Sequence, residues 1–287
     1  MLSDDLRNAC AAAAGKWGVA PDVHPDDFIL RFLLEKSDAP GAGQAVETYF
    51  EDGARSAEQL AGLLTGVCGF QDQPCHVLEF ASGYGRVTRH LARAAPFCSV
   101  TACDIHPQAV SFIREKLGVP AIVSAHVPEE FQVADAYDVV FALSFFSHMP
   151  KSTFARWLHK LASVVKPNGY LVFTTHGLVS RQVAASSCVF DQDGFYFAPA
   201  SEQKDLDEAE YGVAIALPSF VFSEIAGIPR LTVAYFREGD WWGHQDVFVV
   251  RALPESLIPS PLSAADIRRR GRSLYHSLRA LARQRRG

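Results

Sequence analysis

Two carboxylates bracket a glycine-rich turn in this chain. Glu79 stands just before Ala81-Ser82-Gly83-Tyr84-Gly85-Arg86, and Asp104 follows Gly85 by 19 residues. Glycines at a strand-to-helix turn let a ligand approach the backbone closely. A carboxylate ending the next strand can accept hydrogen bonds from ribose hydroxyls. An acid in front of the loop would repel a phosphate, and it would suit a cationic amino-acid end. Histidines offer a second kind of chemistry, because imidazole titrates near neutrality. His148, His176 and His244 each lie near a strand end or a closing loop. No cluster of histidines and carboxylates has tight metal-ligand spacing. Neither a Gly-Lys-Ser/Thr phosphate loop nor a Gly-x-Ser-x-Gly elbow occurs.

These residues need a frame to position them. From residue 76, short apolar runs alternate with amphipathic stretches. His76–Phe80, Ser99–Asp104, Pro120–Ser124, Tyr137–Leu143 and Tyr170–Thr175 read as strands. Val87–Arg93, Pro107–Leu117 and residues 152–165 read as helices, the last with Phe154, Trp157, Leu158 and Leu161 on one side and Asn168-Gly169 as its stop. Such alternation predicts a parallel sheet covered by helices on both faces. Leu231–Arg237 and Gln245–Arg251 form two more strands. The seven residues between them are too few for a parallel crossover, so this pair is antiparallel. Residues 178–217 lack periodicity and read as an insertion after the fifth strand. Residues 1–70 read as helical, with one helix starting at Asp26-Asp27 and carrying Phe28, Ile29, Phe32 and Leu33 on one stripe. A second starts at Ser56 as its cap. The expected fold class is α/β, a three-layer Rossmann-like seven-stranded sheet with its last strand antiparallel. The expected organisation is an N-terminal helical segment over 1–70, a cofactor-binding domain over 71–255 and a basic tail over 256–287.

Dinucleotide folds use GxGxxG and seat a pyrophosphate on the helix N-terminus. Here Thr88 stands at the third position and an acid precedes the loop. S-adenosylmethionine (SAM) has no phosphate and a cationic amino-acid end, so SAM is the expected cofactor. Over roughly residues 70–251 the chain resembles the class I SAM-dependent methyltransferases. Asp138–Leu143 followed by Val165–Phe173 looks like that family's fourth strand, helix end and fifth strand. More narrowly, Ser82–Val87, Phe173–Gly177 and Trp242–Val247 resemble a bacterial subgroup often linked with glycan biosynthesis. The resemblance implies SAM at the C-terminal ends of the first strands. It puts Glu79, Gly83 and Gly85 at the methionine end, Asp104 on the ribose and Ile105 on the adenine. Ser124, Ala125 and His126 fall where the family contacts adenine, and Leu143 and Ser144 pass beside the methyl donor. Ala81 replaces the usual glycine, which predicts a slight loop adjustment with binding retained. His148 and His176 are candidates for a base or a substrate contact, the alternative being loop histidines satisfied by the backbone. The Trp241-Trp242-Gly243-His244 loop is expected away from the cofactor mouth, with its aromatics as a plug.

Hydrophobic residues make up 48% of the chain and charged residues 21%, which excludes a largely disordered protein. No apolar run approaches the roughly 18 residues of a membrane span. The acidic start does not read as a signal peptide, so a cytoplasmic location is expected. The six cysteines form no CxxC pair and read as reduced, mostly buried thiols. Residues 263–287 carry a net charge of +7, against −12 for the rest. An acidic body lacks the footprint of a nucleic-acid enzyme, and no nucleic-acid partner is expected. The tail can form an amphipathic helix, either docked or touching an anionic surface. Ala142-Leu143-Ser144-Phe145 lacks the Pro-Pro-aromatic motif seen in enzymes that methylate base amines. The expected activity is therefore methyl transfer to a small-molecule or glycan acceptor, with oxygen preferred on the subgroup resemblance. Two other readings stand beside it. One is a non-catalytic SAM-fold binding protein, supported by Ala81 alone. The other is an NAD-dependent reductase or epimerase, which lacks its Tyr-x-x-x-Lys pair. Tyr49-Phe50 reads either as a lid over the cofactor or as helix packing. Phe195, Tyr196, Phe197 and Tyr211 in the insertion read either as a ring-stacking surface or as its own small core.

Overall fold

The computed structural model describes residues 3–36, 42–71, 73–184, 187–199 and 210–258. Three helices come first. In α1 (Asp4–Trp17), the Ser3 side chain accepts from the Leu6 N–H and Gly18 closes the end in the left-handed conformation. In α2 (Phe28–Lys36), Asp27 Oδ1 accepts from the Leu30 N–H at 3.1 Å and caps the first turn. The third helix, α3, runs from Gly43 to Gly66. Ser56 is therefore no cap. The apolar spacing of Ala45, Val46, Tyr49 and Phe50 starts the helix well upstream, and Ser56 is buried mid-helix, where its hydroxyl accepts from Trp241 Nε1 at 3.3 Å. Tyr49 and Phe50 are fully buried against Leu6, Cys10 and Leu30, so they pack helices.

The sheet strands are β1 (Cys75–Phe80), β2 (Cys98–Asp104), β3 (Ala121–Val123), β4 (Tyr137–Ala142) and β5 (Val165–His176). Between them run α4 (Thr88–Ala94), α5 (Pro107–Phe112) continuing as a wider turn over Ile113–Leu117, and α6 (Lys151–Ser163). Then come α7 (Leu178–Ala184), β6 (Phe195–Ala198), β7 (Val213–Ala216) and α8 (Pro218–Ala226). The last strands are β8 (Leu231–Trp241) and β9 (Gln245–Ala252). The seven-stranded sheet has the order β3-β2-β1-β4-β5-β9-β8, with β9 antiparallel to both its neighbours. The fold class is the expected one. Apolar runs such as Val139-Val140-Phe141-Ala142 are buried throughout because helices cover both faces. One face packs Phe154, Trp157, Leu158 and Leu161 of α6, and the other packs Leu60 and Leu64 of α3 with Leu91 of α4.

Four local expectations change. Asn168-Gly169 does not stop a helix; it lies inside β5, where Asn168 takes a φ of 67° and the pairing with β4 shifts register. Residues 195–198 and 213–216, within the insertion, pair as a two-stranded antiparallel sheet. Phe195 joins the core beside Phe154 and Phe220, whereas Tyr211 turns toward His148. The cysteines are not all thiols: Cys75 and Cys98 open two strands that pair in parallel, directly opposite each other with Cα atoms 4.6 Å apart, and they form a disulfide. Cys10, Cys68, Cys103 and Cys188 are buried and free.

The chain divides into a unit ending at Pro254 and a second beginning at Glu255. Of the second, the described part contains a short 3-10 turn over Glu255–Leu257. The arginine-rich tail lies outside the described residues. Among the described residues no helix is long and apolar enough to cross a membrane.

Arg89 of α4 joins the helical layer to the sheet. Its Nε donates to the Gly85 carbonyl, and its terminal nitrogen donates to the carbonyls of Ala20 and Asp22 at 3.0 and 2.8 Å. Gly53 of α3 makes a second close contact, since a Cβ there would lie 2.2 Å from the Arg86 carbonyl oxygen. Gly53→Ala is expected to destabilise the fold by about 1–3 kcal/mol through overpacking. Gly62→Ala, on the same helix with nothing within 4 Å, is expected to gain up to about 1 kcal/mol from helix propensity. Urea unfolding of the two variants checks the opposite signs.

Candidate functional site

The chain lays down β1, β2 and β3 in one direction across the sheet, then returns to place β4 and β5 on the other side of β1. That reversal opens a crevice beyond the C-terminal ends of β1 and β4, where open α/β sheets bind ligands. The loop after β1 fills its floor. Ala81, Gly83 and Gly85 all take left-handed φ values of 58°, 56° and 78°. The loop is tied down by Ser82 N–H to the Cys103 carbonyl at 3.0 Å and by Gly83 N–H to Asp104 Oδ2 at 2.7 Å. Gly85 is a packing residue: a Cβ there would lie 2.5 Å from Leu117 Cδ1.

Glu79 is only 3% exposed, and its Oε2 accepts from Thr88 Oγ1 at 2.6 Å. Burial pushes its carboxyl up to about 7, against the opposing pull of the Thr88 hydrogen bond and the Arg86 charge. Asp104 Oδ1 accepts from the His106 N–H at 3.0 Å and lies 2.9 Å from the His106 ring Nδ1. A carboxylate has about four acceptor sites. The protein occupies three of those on Asp104 and leaves one for a ligand.

These groups line a cavity of about 860 Å³, in the upper part of the range of about 300–1,000 Å³ for small-molecule sites. Of the residues singled out in the sequence, Glu79, Ala81, Gly83 and Asp104 form its floor. Ile105 and Ala125 line the β2–β3 side, and Leu143, Ser144 and His148 the β4 side. Gly85 and His176 stand outside the lining.

The β4 side is held by a network across three strands. The Ser144 N–H donates to Thr174 Oγ1 at 2.8 Å, and Thr174 Oγ1 donates to Gln245 Oε1 at 2.6 Å. Gln245 Nε2 donates to Ser144 Oγ at 2.8 Å and faces His176 Nε2 at 3.2 Å. His176 thus supports Gln245 from behind. Its burial, then the neighbouring His148 and His244, hold its imidazole down to about 3. His148 lies in the wall itself. Its Nδ1 is 2.8 Å from the Gly212 carbonyl, which assigns the N–H to that nitrogen and leaves the Nε2 lone pair free. Burial lowers its imidazole to about 4, so it is neutral at pH 7. Its ring stacks on Tyr211, with centroids 4.5 Å apart and planes 8° apart.

The Trp241–His244 turn is not remote from this site. Because β9 runs antiparallel to β5, Gln245 pairs with His176 and the turn emerges at the same sheet edge as the cavity. Trp241 is the plug, fully buried. Trp242 lines the cavity with the Arg86 guanidinium 5.2 Å above its ring. The direction of β9 in the sequence reading already carried this consequence. Sequence reasoning also missed α2 as a wall. Phe28, Ile29 and Phe32 line the cavity, although an amphipathic stripe reads as core. Gln245 lay within the Trp242–Val247 segment that carried the subgroup resemblance, but nothing there assigned it a role.

Among the described residues four non-glycine positions take left-handed φ, and Ala81, Ser144 and Trp242 all line this one cavity. Strained backbone of this kind gathers at functional sites. No group of three or more His, Cys, Asp or Glu side chains among the described residues could hold a metal ion. Ala81→Gly removes a left-handed penalty of about 1–2 kcal/mol, less the roughly 0.5–1 kcal/mol of chain freedom that glycine loses on folding. The variant is expected to be more stable by up to about 1.5 kcal/mol, read as a rise in the urea midpoint.

Residues 78–171 match the family described as a methyltransferase domain. A malonyl-[acyl-carrier protein] O-methyltransferase of Porphyromonas gingivalis is 30% identical over 131 residues, covering 45% of this chain and 48% of that protein. A tRNA N(3)-methylcytidine methyltransferase of Schizosaccharomyces pombe is 28% identical over 108 residues, covering 35% and 44%. The chain thus spans less than half the length of these relatives. Among solved structures, the plantazolicin methyltransferase in complex with S-adenosylhomocysteine (SAH) superposes with a TM-score of 0.52 at 15% identity, covering 87% of this chain and 96% of that one. Magnesium protoporphyrin IX methyltransferase from Synechocystis gives 0.51 at 12%, covering 77% and 92%. At these identities the superpositions speak for the fold alone. With the acid–glycine–acid motif, the sheet order and the match taken together, residues 78–171 carry a methyltransferase domain set in a sheet of the class I SAM-dependent methyltransferase type.

Proposed function

We propose that this protein transfers a methyl group from SAM to an oxygen of a small-molecule or glycan acceptor. The observation that carries the proposal is the meeting of Glu79, Asp104 and the neutral Nε2 of His148 on one cavity. The residues fit the cofactor. Glu79 has no cation against its carboxyl closer than the Arg86 influence, and it suits the ammonium of the methionine end. The remaining acceptor site on Asp104 suits a ribose hydroxyl, and Ile105 and Ala125 offer apolar contact to adenine. When bound, SAM supplies an electrophilic methyl carbon on a sulfonium. The chain's own part is alignment and proton handling. Ser144, fixed by Thr174 and Gln245, shapes the passage between cofactor and acceptor. His148 Nε2 accepts the hydroxyl proton as the oxygen attacks. The malonyl-carrier relatives are named as O-methyltransferases, which supports oxygen as the acceptor atom.

Calorimetric titration with SAM, SAH and NAD tests the cofactor: the two adenosyl compounds are expected to bind and NAD is not. Asp104→Ala is expected to weaken SAM binding by about 1.5–3 kcal/mol, the worth of a hydrogen bond to a charged group. Equal affinity in that variant would remove the ribose assignment.

Glu79 gives the binding a pH signature. Burial raises its carboxyl to about 7, and pairing with an ammonium requires the ionised form. Binding therefore releases a proton below pH 7, and SAM affinity is expected to rise by up to about tenfold per pH unit from pH 5 toward 7. Titrations across that range check the slope, and Glu79→Gln is expected to flatten it.

A further inference from the structure

We infer that the acceptor is a small ring compound that bears a phenol-type hydroxyl and no negative charge, with its ring between the α2 aromatics and Trp242 and its hydroxyl at His148 Nε2. This rests on the methyl-transfer reading above and narrows it.

Three independent features point there. The first is the apolar character of the acceptor side. Ile29 and Val127 line the cavity yet are each 38% exposed, and they sit at its mouth as bare aliphatic surface. Behind Ile29, the rings of Phe28 and Phe32 lie 6.2 Å apart on the same helix. Across the cavity stand Trp242, whose buried indole N–H has no hydrogen-bond partner among the described residues, and Tyr211. Aliphatic side chains at a mouth offer nothing to the hydroxyls of a sugar, but they do desolvate a flat ring.

The second is charge. Asp26, Glu35 and Glu210 line the acceptor side, and Arg31 is the arginine that answers them. The other lining arginine, Arg86, is committed to Asp52 at 3.4 Å and to the Trp242 ring. A carboxylate acceptor would enter against these acids, with Arg31, which has no ion-pair partner among the described residues, to receive it. A neutral or cationic acceptor meets no such barrier.

The third is the base. His148 presents one lone pair, with its tautomer fixed by the Gly212 carbonyl. Burial disfavours its charged form, so taking a proton from a hydroxyl is uphill, and less so the more acidic the hydroxyl. A phenol, at about 10 like a tyrosine side chain, meets that demand far better than an aliphatic hydroxyl. In the step, the phenolic oxygen forms a bond to the methyl carbon and the carbon–sulfur bond of the donor breaks, with its electron pair staying on sulfur. SAH leaves, and the phenolic proton passes to His148 Nε2 and then to solvent.

The test is calorimetry on protein saturated with SAH, using four probes. Tyrosol is a neutral phenol, tyramine a cationic one and 4-hydroxyphenylacetate an anionic one; methyl β-D-glucopyranoside has no aromatic ring. The SAH titration comes first, and its failure would remove the methyltransferase reading itself. Given SAH binding, tyrosol and tyramine are expected to bind at least about tenfold tighter than 4-hydroxyphenylacetate, and the glucoside to give no binding. Phe32→Ala is expected to weaken tyrosol several-fold, with its own SAH titration reporting that the variant is folded. Preference for the glucoside or for the anionic phenol overturns the inference. So does the absence of any phenol binding to protein that binds SAH, or an unchanged tyrosol affinity in Phe32→Ala.

Discussion

A carboxylate held out of water is costly unless a proton or a cation neutralises it. Glu79, 3% exposed at the end of β1, is held in that condition by the sheet itself. One hydroxyl, that of Thr88, reaches it. Its carboxyl is raised to about 7 because burial outweighs that hydrogen bond and the Arg86 charge. A ligand carrying phosphate beside it would make ionisation harder still. A ligand carrying an ammonium would draw the proton off and gain a buried ion pair. A single residue thus separates the two cofactor classes that use a glycine-rich first turn. The sign for stability follows. A folded-state pKa raised above the ordinary carboxylate value favours the fold below about 4.5 and loses that contribution as pH rises through 7. An ammonium ligand restores it, so ligand-linked stabilisation is greatest on the neutral and alkaline side.

The strain around this carboxylate is distributed, and each piece has its own support. Ala81 is held by the Ser82 and Gly83 amides bonded to the end of β2. Ser144 is held by Thr174 of β5 and Gln245 of β9. Trp242 is held in the turn that β9 begins. The antiparallel strand therefore does more than close the sheet. It brings a buried amide behind Ser144 in the cavity wall and sets a tryptophan in that wall. The same network explains why His176 stands outside the cavity lining: its ring backs Gln245 and is kept neutral by burial.

What could be read from the sequence was local, and what could not was tertiary. The strands were legible because buried parallel strands are short apolar runs, and the floor of the site because Glu79, the glycines and Asp104 sit at fixed places along adjacent elements. Tyr137–Ala142 and Gln245–Ala252 fell almost where the alternation put them. Ser56 was misread because a capping side chain and a buried hydroxyl look alike until Trp241 is known to meet it. The Cys75–Cys98 bond depends on strand register, which spacing along the chain does not encode. The α2 wall escaped because a helix stripe that faces a cavity has the same periodicity as one that faces a core.

That last ambiguity separates the two halves of the cavity. The floor, from Glu79 through Asp104 to Ser144, lies within the matched domain of residues 78–171. Phe28 and Phe32, Tyr211 and Trp242 all lie outside it, and they form the side assigned to the acceptor. The N-terminal part of that side is built firmly. Tyr49 donates to Asp27 Oδ2 at 2.6 Å while Oδ1 of the same carboxylate caps α2. Burial, followed by the Asp27 charge, raises the Tyr49 hydroxyl well above its ordinary range, so the proton stays with the donor. Arg89 lies over the Tyr49 ring and secures residues 20–22 to the cofactor loop. One end of α2 is therefore anchored to the helical layer and to the loop that floors the cavity. Similarity across the matched domain bears on the methyl donor, because the proposed donor contacts Glu79, Asp104 and Ser144 lie within it. It carries less about the acceptor, because Phe28, Phe32, Tyr211 and Trp242 come from segments outside that domain, with His148 the exception. The acceptor has to be read from the rings, the acids and the neutral imidazole of His148.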